Sequence, residues 1–566
     1  MAAPQSPSAT PFGKILRWLE LHPYWALTLA VLAALGPFLT KPFNIDDPLF
    51  IWAAHQIQAH PADPYGFNVE WGWRSFPMWK VTENPPLACY YLAGAAGILG
   101  WSEWALHFAF LFPAIALILG TYRLACHFCQ QPALAALATL FMPFVLVSSL
   151  TVMCDVTMLA FWVWAVLFWV EGTAQNNSWK LFAAGSLMAL AAMTKYYGAC
   201  LIPLLAAYSL ISRRRLQHWG QFLLIPLATL WVYQYVTQAI YGDSLLYRAM
   251  DYASFTKGFF SFSKTQTGLS ALAFAGGGLA VAVFFAPLLW RPRSLAALAA
   301  STVAIATTLH FDEAIWKKYG LLQGAARTSV EIQTAVWATG GLFILAVAGA
   351  GVWRRRDPDS WLLALWVLGT FVFTAFVNWV VNGRSILPMA PAVGILIARG
   401  LDQNVLPERK PWMRGAALCL PPAAVLALLV ARADCLMAVA VRESAQEVCN
   451  QRQPTDGTLW FQGHWGFQYY MEAGGAHPLD IKHSSLKPGD NLALPANNTS
   501  LQPNLSRMIL RGTLFVAGPH LLTTWSQPTG AGFYASIWGP LPFAFGRVPP
   551  ESVSLYLLQP PAPDAK

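Results

Sequence analysis

Long apolar blocks separated by short polar punctuation dominate the first 433 residues. Blocks lie near residues 23–40, 103–124, 132–150, 156–171, 179–194, 198–212, 219–238, 269–290, 294–310, 333–352, 360–381, 386–400 and 415–433. Each approaches the ~20 residues that carry a helix across a bilayer, so about thirteen transmembrane helices are expected. The apolar stretch Pro86–Gly100 is shorter and reads as a helix lying at the interface. After residue 433 the pattern changes. Gly, Pro, Asn and Ser rise, and short alternating runs such as Ser552–Leu557 are separated by turn signals such as Pro488-Gly489-Asp490. The expected organisation is a polytopic α-helical membrane domain over 1–433 and a small α/β domain over 434–566.

Composition supports this. Only 11% of the chain is charged and 56% is hydrophobic, against about 25% charged in soluble proteins. Lys and Arg (36) exceed Asp and Glu (27), but the excess does not point to nucleic acid, because the basic residues punctuate apolar blocks. They cluster at Arg213-Arg214-Arg215, Arg291 with Arg293, Arg354-Arg355-Arg356, and Arg409-Lys410 with Arg414. Placing these clusters inside follows the positive-inside rule. It puts residues 41–102 and 434–566 outside. Lys14 and Arg17 precede the first block, which lacks a small-residue cleavage site and reads as a retained span.

Ionisable residues at the outer ends of the blocks are the candidate chemistry. Asp46 and Asp47 follow the first block, Asp155 begins the fourth, Lys195 ends the fifth, and Arg384 precedes the twelfth. Such groups are costly near lipid unless paired or used. Each has a plain structural reading: Asp155 as a helix cap, Lys195 as a snorkelling cation, Arg384 as a lipid-phosphate contact. Taken together they suit transfer from a phosphate leaving group. A carboxylate can act as general base, and cations can hold the phosphate and its developing charge. The intervening segment supplies an amphipathic stretch from Pro48 to His60 and then Tyr65, Phe67, Trp71, Trp73, Phe76 and Trp79, suited to an interfacial position. Cys126 and Cys129 form a single, weak metal-like pair, and Cys435 with Cys449 is a possible disulfide in an oxidising compartment.

Several elements together resemble the GT-C class of integral-membrane glycosyltransferases, in the group of dolichyl-phosphate-mannose protein mannosyltransferases and lipid A aminoarabinose transferases. They are Asn44-Ile45-Asp46-Asp47, Asn84-Pro85-Pro86-Leu87, Cys154-Asp155, Ala192–Gly198 and Arg384–Pro391. The resemblance implies a polyprenyl-phosphate sugar donor, an acceptor that is protein, lipid or glycan, and inverting transfer on the outer face of a bacterial inner membrane. Asp46 would be the base, with Asp47 and Asp155 shaping the site or helping to hold Mg or Mn. Lys195 and Arg384 would bind the donor phosphate; some members carry Lys where this chain has Asn84, so that a further phosphate contact is either missing or supplied by Lys80. Glu83, Tyr196, Tyr197 and His464 are expected to line the substrate pocket. Ser385 departs from the family's Tyr. A transporter or flippase of lipid-linked sugars is the alternative. The absence of repeated halves and of mid-block charges disfavours it.

Overall fold

The computed structural model describes residues 21–71, 74–82, 84–213, 218–260, 263–319, 325–404, 411–453, 457–498 and 505–560. Glu83, Trp73, the Arg214-Arg215 pair and the Arg409-Lys410 pair lie outside the described residues. The protein is an integral membrane protein of mainly helical structure. Among the described residues, eight helices are long and apolar enough to cross a membrane: Glu103–Ala125, Asp155–Gln175, His218–Tyr241, Pro292–Phe311, Ala326–Arg355, Pro358–Val377, Gly383–Asp402 and Leu418–Asn450. Two further blocks are broken, one by a 64° bend between Pro132–Leu140 and Pro143–Ser149, the other by an 82° bend between Lys264–Gly278 and Val281–Leu289. Proline at the start of the second half explains the first break, because it cannot donate to the preceding turn. The remaining three of the thirteen expected blocks form helices of 13, 17 and 13 residues: Pro23–Leu35, Ser178–Thr194 and Leu201–Arg213.

Helix ends are set locally. Ser102 accepts from the Ala105 N–H, Asn177 from the Trp179 and Lys180 N–H groups, and Asp357 from the Ser360 N–H. Several basic groups pair at one end of the helices. Arg213 donates to the carbonyls of Thr173 and Ala174, His127 and Lys180 pair with Glu171, and Arg399 pairs with Asp357. These groups gather at the end of the helices opposite to Asp155, which begins the helix that Glu171 closes.

The expected boundary at residue 434 falls inside one continuous helix, Pro411–Asn450. Cys435 and Cys449 both lie on it, so 14 positions at 1.5 Å each separate them by about 21 Å, too far for a disulfide. Both are free thiols. Beyond the helix a five-stranded sheet runs in the order His477–Pro478, Leu459–Phe461, Asn491–Pro495, Glu551–Leu558, Met508–Val516. The first two pairings are parallel and the last two antiparallel. Helix Trp465–Ala473 packs with it.

The last third of the chain does not stay apart from the helices. Residues 522–545 leave the sheet and return to them. The Gly383 N–H donates to the Phe533 carbonyl at 2.8 Å, and the Ser536 N–H to that of Val381 at 2.8 Å. Phe533 packs edge-on against Phe144. The apolar content of Phe533, Leu541 and Phe543, all fully buried, drives this return.

Gly466 marks where helix Trp465–Ala473 meets the first loop. A Cβ there would stand 2.3 Å from the Phe43 carbonyl oxygen and 3.1 Å from the Asn44 Cα. Gly466→Ala is therefore expected to push two backbones apart and to cost about 1–3 kcal/mol, as over-packing does. Thermal unfolding of the detergent-solubilised protein checks this; an unchanged melting temperature would mean that the contact is loose.

Candidate functional site

The loop Lys41–Pro48 is held from beneath. Lys41 is buried, and its Nζ donates to the Leu150 carbonyl at 3.0 Å and to Asp434 at 2.6 Å. Burial opposes its charge, but Asp434 and Asp47 override that and raise its pKa. Asp434 also accepts from the hydroxyls of Thr524 and Tyr534, so the returning segment and the first loop share one buried carboxylate.

Asp47 points the same way, into protein. Its side chain is wholly buried, with Oδ2 accepting from the Asn44 N–H at 3.0 Å and Oδ1 from the Val152 N–H at 2.9 Å. Burial pushes its pKa up to about 7, against the pull of Lys41 and these two donors. It clamps the loop to the turn that precedes Asp155. Between Asn44 and Asp46, Ile45 adopts a φ of 53°, a strained setting for a β-branched residue that costs of order 1–3 kcal/mol. The buried contacts on either side maintain it.

Asp46 instead faces a cavity of about 810 Å3. It stands at the N-cap of helix Asp47–Ala59, but its side chain makes no cap hydrogen bond. Its Oδ2 accepts from Arg384 Nη1 at 2.8 Å. Arg384 lies in the short turn Gly383–Ile386, which Asn382 caps through the Ser385 N–H. The same Nη1 lies 3.1 Å from Met153 Sδ, while Nε is buried without a partner among the described residues.

A second ion pair reaches the same cavity. Lys195 closes helix Ser178–Thr194 in extended conformation and turns into Tyr196–Cys200. Its Nζ donates to Asp155 Oδ1 at 2.6 Å. Asp155 is buried, and its Oδ2 has no partner among the described residues. It is the first residue of its helix rather than the cap, which is Cys154 without a side-chain bond. Lys195, Tyr196, Tyr197, Arg384 and His464 all line the cavity with Asp46.

Three expected site residues are not on the cavity wall: Asp47, Lys80, and Asp155, which meets it only through Lys195. Asp47 is not on the cavity wall, since backbone donors occupy both of its oxygens. Lys80 is exposed and rests 4.8 Å from the Trp79 ring, away from the cavity wall. His464 sits between the rings of Trp71 and Trp465, at 5.0 and 4.3 Å. Burial lowers its pKa to about 3, so it is neutral at ordinary pH. Trp525, Tyr534 and Trp538 also line the cavity, from a segment that the sequence pattern assigns to a separate domain. The only signal for them in the sequence is the density of aromatics from Trp525 to Trp538, unusual for a solvated surface.

Chemically, two cations and one carboxylate, Asp46, meet on an aromatic wall, with Asp155 behind it as the buried partner of Lys195. A group that drew Arg384 away from Asp46 would leave that carboxylate free to accept a proton. Among the described residues no three His, Cys, Asp or Glu side chains come together as metal ligands.

Residues 83–236 match a family described as dolichyl-phosphate-mannose-protein mannosyltransferase. The match takes in the Pro85-Pro86 element, Asp155 and Lys195, three of the landmarks of the GT-C resemblance, while Asp46 and Arg384 fall outside it. No curated protein matches the chain. Among solved structures, ArnT from Cupriavidus metallidurans bound to undecaprenyl phosphate is similar at 15% identity and a TM-score of 0.42, over 95% of this chain and 98% of that one. The Archaeoglobus fulgidus oligosaccharyltransferase tethered with an acceptor peptide gives 14% and 0.47, over 82% and 64%. Arabinofuranosyltransferase AftD from Mycobacteria gives 14% and 0.42, over 97% and 40%.

Proposed function

We propose that this protein is a GT-C-type glycosyltransferase that moves a sugar from a polyprenyl-phosphate donor to an acceptor on the extracytoplasmic face of a bacterial inner membrane. The observation that carries the reading is the convergence of Asp46, Arg384 and Lys195 on one aromatic-walled cavity, Arg384 paired with Asp46 and Lys195 with the buried Asp155 behind it. The match of residues 83–236 to the mannosyltransferase family supports the donor class.

Arg384 and Lys195 bind the donor phosphate. Arg384 is the more selective of the two, because its planar guanidinium matches phosphate oxygens in pairs. As it turns to the phosphate, Asp46 is released. The acceptor O–H or N–H attacks the anomeric carbon, its proton passes to Asp46, and the C–O bond to phosphate breaks. The electron pair leaves on polyprenyl phosphate, whose charge Arg384 and Lys195 hold. Attack opposite the leaving group inverts the anomeric centre. Asp47 acts from beneath as a positioning residue that fixes the loop carrying Asp46. The aromatic wall of Trp465, Trp525 and Trp538 excludes water and offers apolar faces to a sugar ring.

The test is release of labelled sugar from a panel of polyprenyl-phosphate sugars by the purified full-length protein, with a crude extract of the same cells as acceptor source. Turnover with one donor, giving polyprenyl phosphate as co-product, is expected. Carriage of intact donor across proteoliposomes without cleavage would replace transfer with transport.

A further inference from the structure

At the opposite end of the helices, a small cleft of about 40 Å3 opens between them. It takes Leu289 and Trp290 from the end of Val281–Leu289, Arg354 and Arg355 from Ala325–Arg355, and Leu396 and Arg399 from Ala390–Asn404. Arg399 is only 7% exposed. Its Nη2 reaches both oxygens of Asp357 at 3.1 Å, while its Nε is buried without a partner among the described residues. An unmatched guanidinium N–H at that depth is costly.

Among the described residues, three arginines and no carboxylate line the cleft itself, with Asp357, Asp359 and Asp402 standing behind it. Asp357 is already shared with the Ser360 N–H and hydroxyl, at 2.7 and 3.2 Å. Asp402 accepts from the Gln130 N–H at 2.7 Å. Asp359 is a further nearby carboxylate, set against Arg355 and Arg399. Gly351 keeps one wall open, since a Cβ there would meet only Leu396 Cδ2, at 4.0 Å. A water needs about 10–15 Å3 of such space, so the cleft has room for a phosphate group but not for a sugar headgroup.

We propose that this cleft binds the phosphate of an anionic glycerophospholipid, with Arg399 as the buried donor and Arg354 and Arg355 at the mouth. Guanidinium groups suit the tetrahedral oxygens. The apolar side chains of Leu289, Trp290 and Leu396 continue from the charged pocket, as an acyl chain requires and a free anion does not. The position, at the ends of apolar helices beside the basic clusters, is where headgroup phosphates lie.

The full-length protein, delipidated in neutral detergent, is titrated with phosphatidylglycerol, phosphatidylcholine or inorganic phosphate, and retained lipid is counted by native mass spectrometry. Wild type is expected to hold phosphatidylglycerol in preference to phosphatidylcholine. A membrane-surface arginine contributes about fivefold, so Arg354→Gln with Arg355→Gln should weaken retention about 25-fold. Gly351→Leu keeps every charge but fills the cleft, and should also lose the preference. Its melting temperature without lipid verifies that it folds. Equal retention in wild type and both variants would overturn the site. Retention lost in the arginine variant but kept in Gly351→Leu would reduce it to surface attraction. Stabilisation by inorganic phosphate with none by phosphatidylglycerol would replace the lipid by a free anion.

Discussion

Asp46→Asn should lower the turnover number for sugar transfer by about 10²–10⁴-fold, the usual contribution of a positioned general base, and leave donor affinity equal or improved. The two halves of this expectation come from one contact. Asp46 Oδ2 lies 2.8 Å from Arg384 Nη1, so the carboxylate competes with the donor phosphate for the same cation. Neutralising it removes the proton acceptor and also that competitor. Side-chain exposures of 23% and 17% leave the pair open to exchange, unlike the sealed Lys41–Asp434 pair at 1% and 0%. Single-turnover measurement with labelled donor gives the chemical step. Equilibrium binding of polyprenyl phosphate gives the affinity. A variant that turns over normally would remove Asp46 as base, and one that also loses binding would make it part of the phosphate site instead.

Lys195→Met should be the most damaging single change in the cavity for stability. It leaves the Asp155 carboxylate, 1% exposed, without its cation, and breaking such a pair costs about 3–5 kcal/mol. Combining it with Asp155→Asn removes the stranded charge and should restore most of the melting temperature. Donor affinity should not return, because the phosphate has lost one of its two cations in both variants. Thermal unfolding and donor binding on the two variants separate the roles. Recovery of both properties in the double variant would make the pair a structural device only. Recovery of neither would mean that the geometry of the two side chains, beyond their charge, holds the turn at Tyr196–Cys200.

Asp46, Lys195 and Arg384 are legible as candidates from their positions along the chain, because a charge at the end of an apolar block is a costly placement that composition cannot hide. Their pairing is not. Asp46 and Arg384 are 338 positions apart and Asp155 and Lys195 are 40 apart, and nothing in either local sequence names the partner. Asp47 shows the opposite case. Adjacent to Asp46 and chemically identical, it is separated from it only by backbone direction, which the strained Ile45 sets and the Asn44 and Val152 donors fix. The apolar blocks likewise predict where helices lie, but not that Pro143 bends one of them, nor that three are shorter than a full span.

Hydropathy and charge along the chain are enough to specify a polytopic helical protein, with basic clusters at one end of the helices and isolated carboxylates and cations at the other. Both act on each segment separately, so they can be read segment by segment. Folding in three dimensions settles which carboxylate faces the cavity and which cation each one meets. It also brings Trp525, Tyr534 and Trp538 back from the far end of the chain to close that cavity. These outcomes depend on contacts between residues remote in sequence, where burial of aromatic surface and pairing of charge are satisfied together.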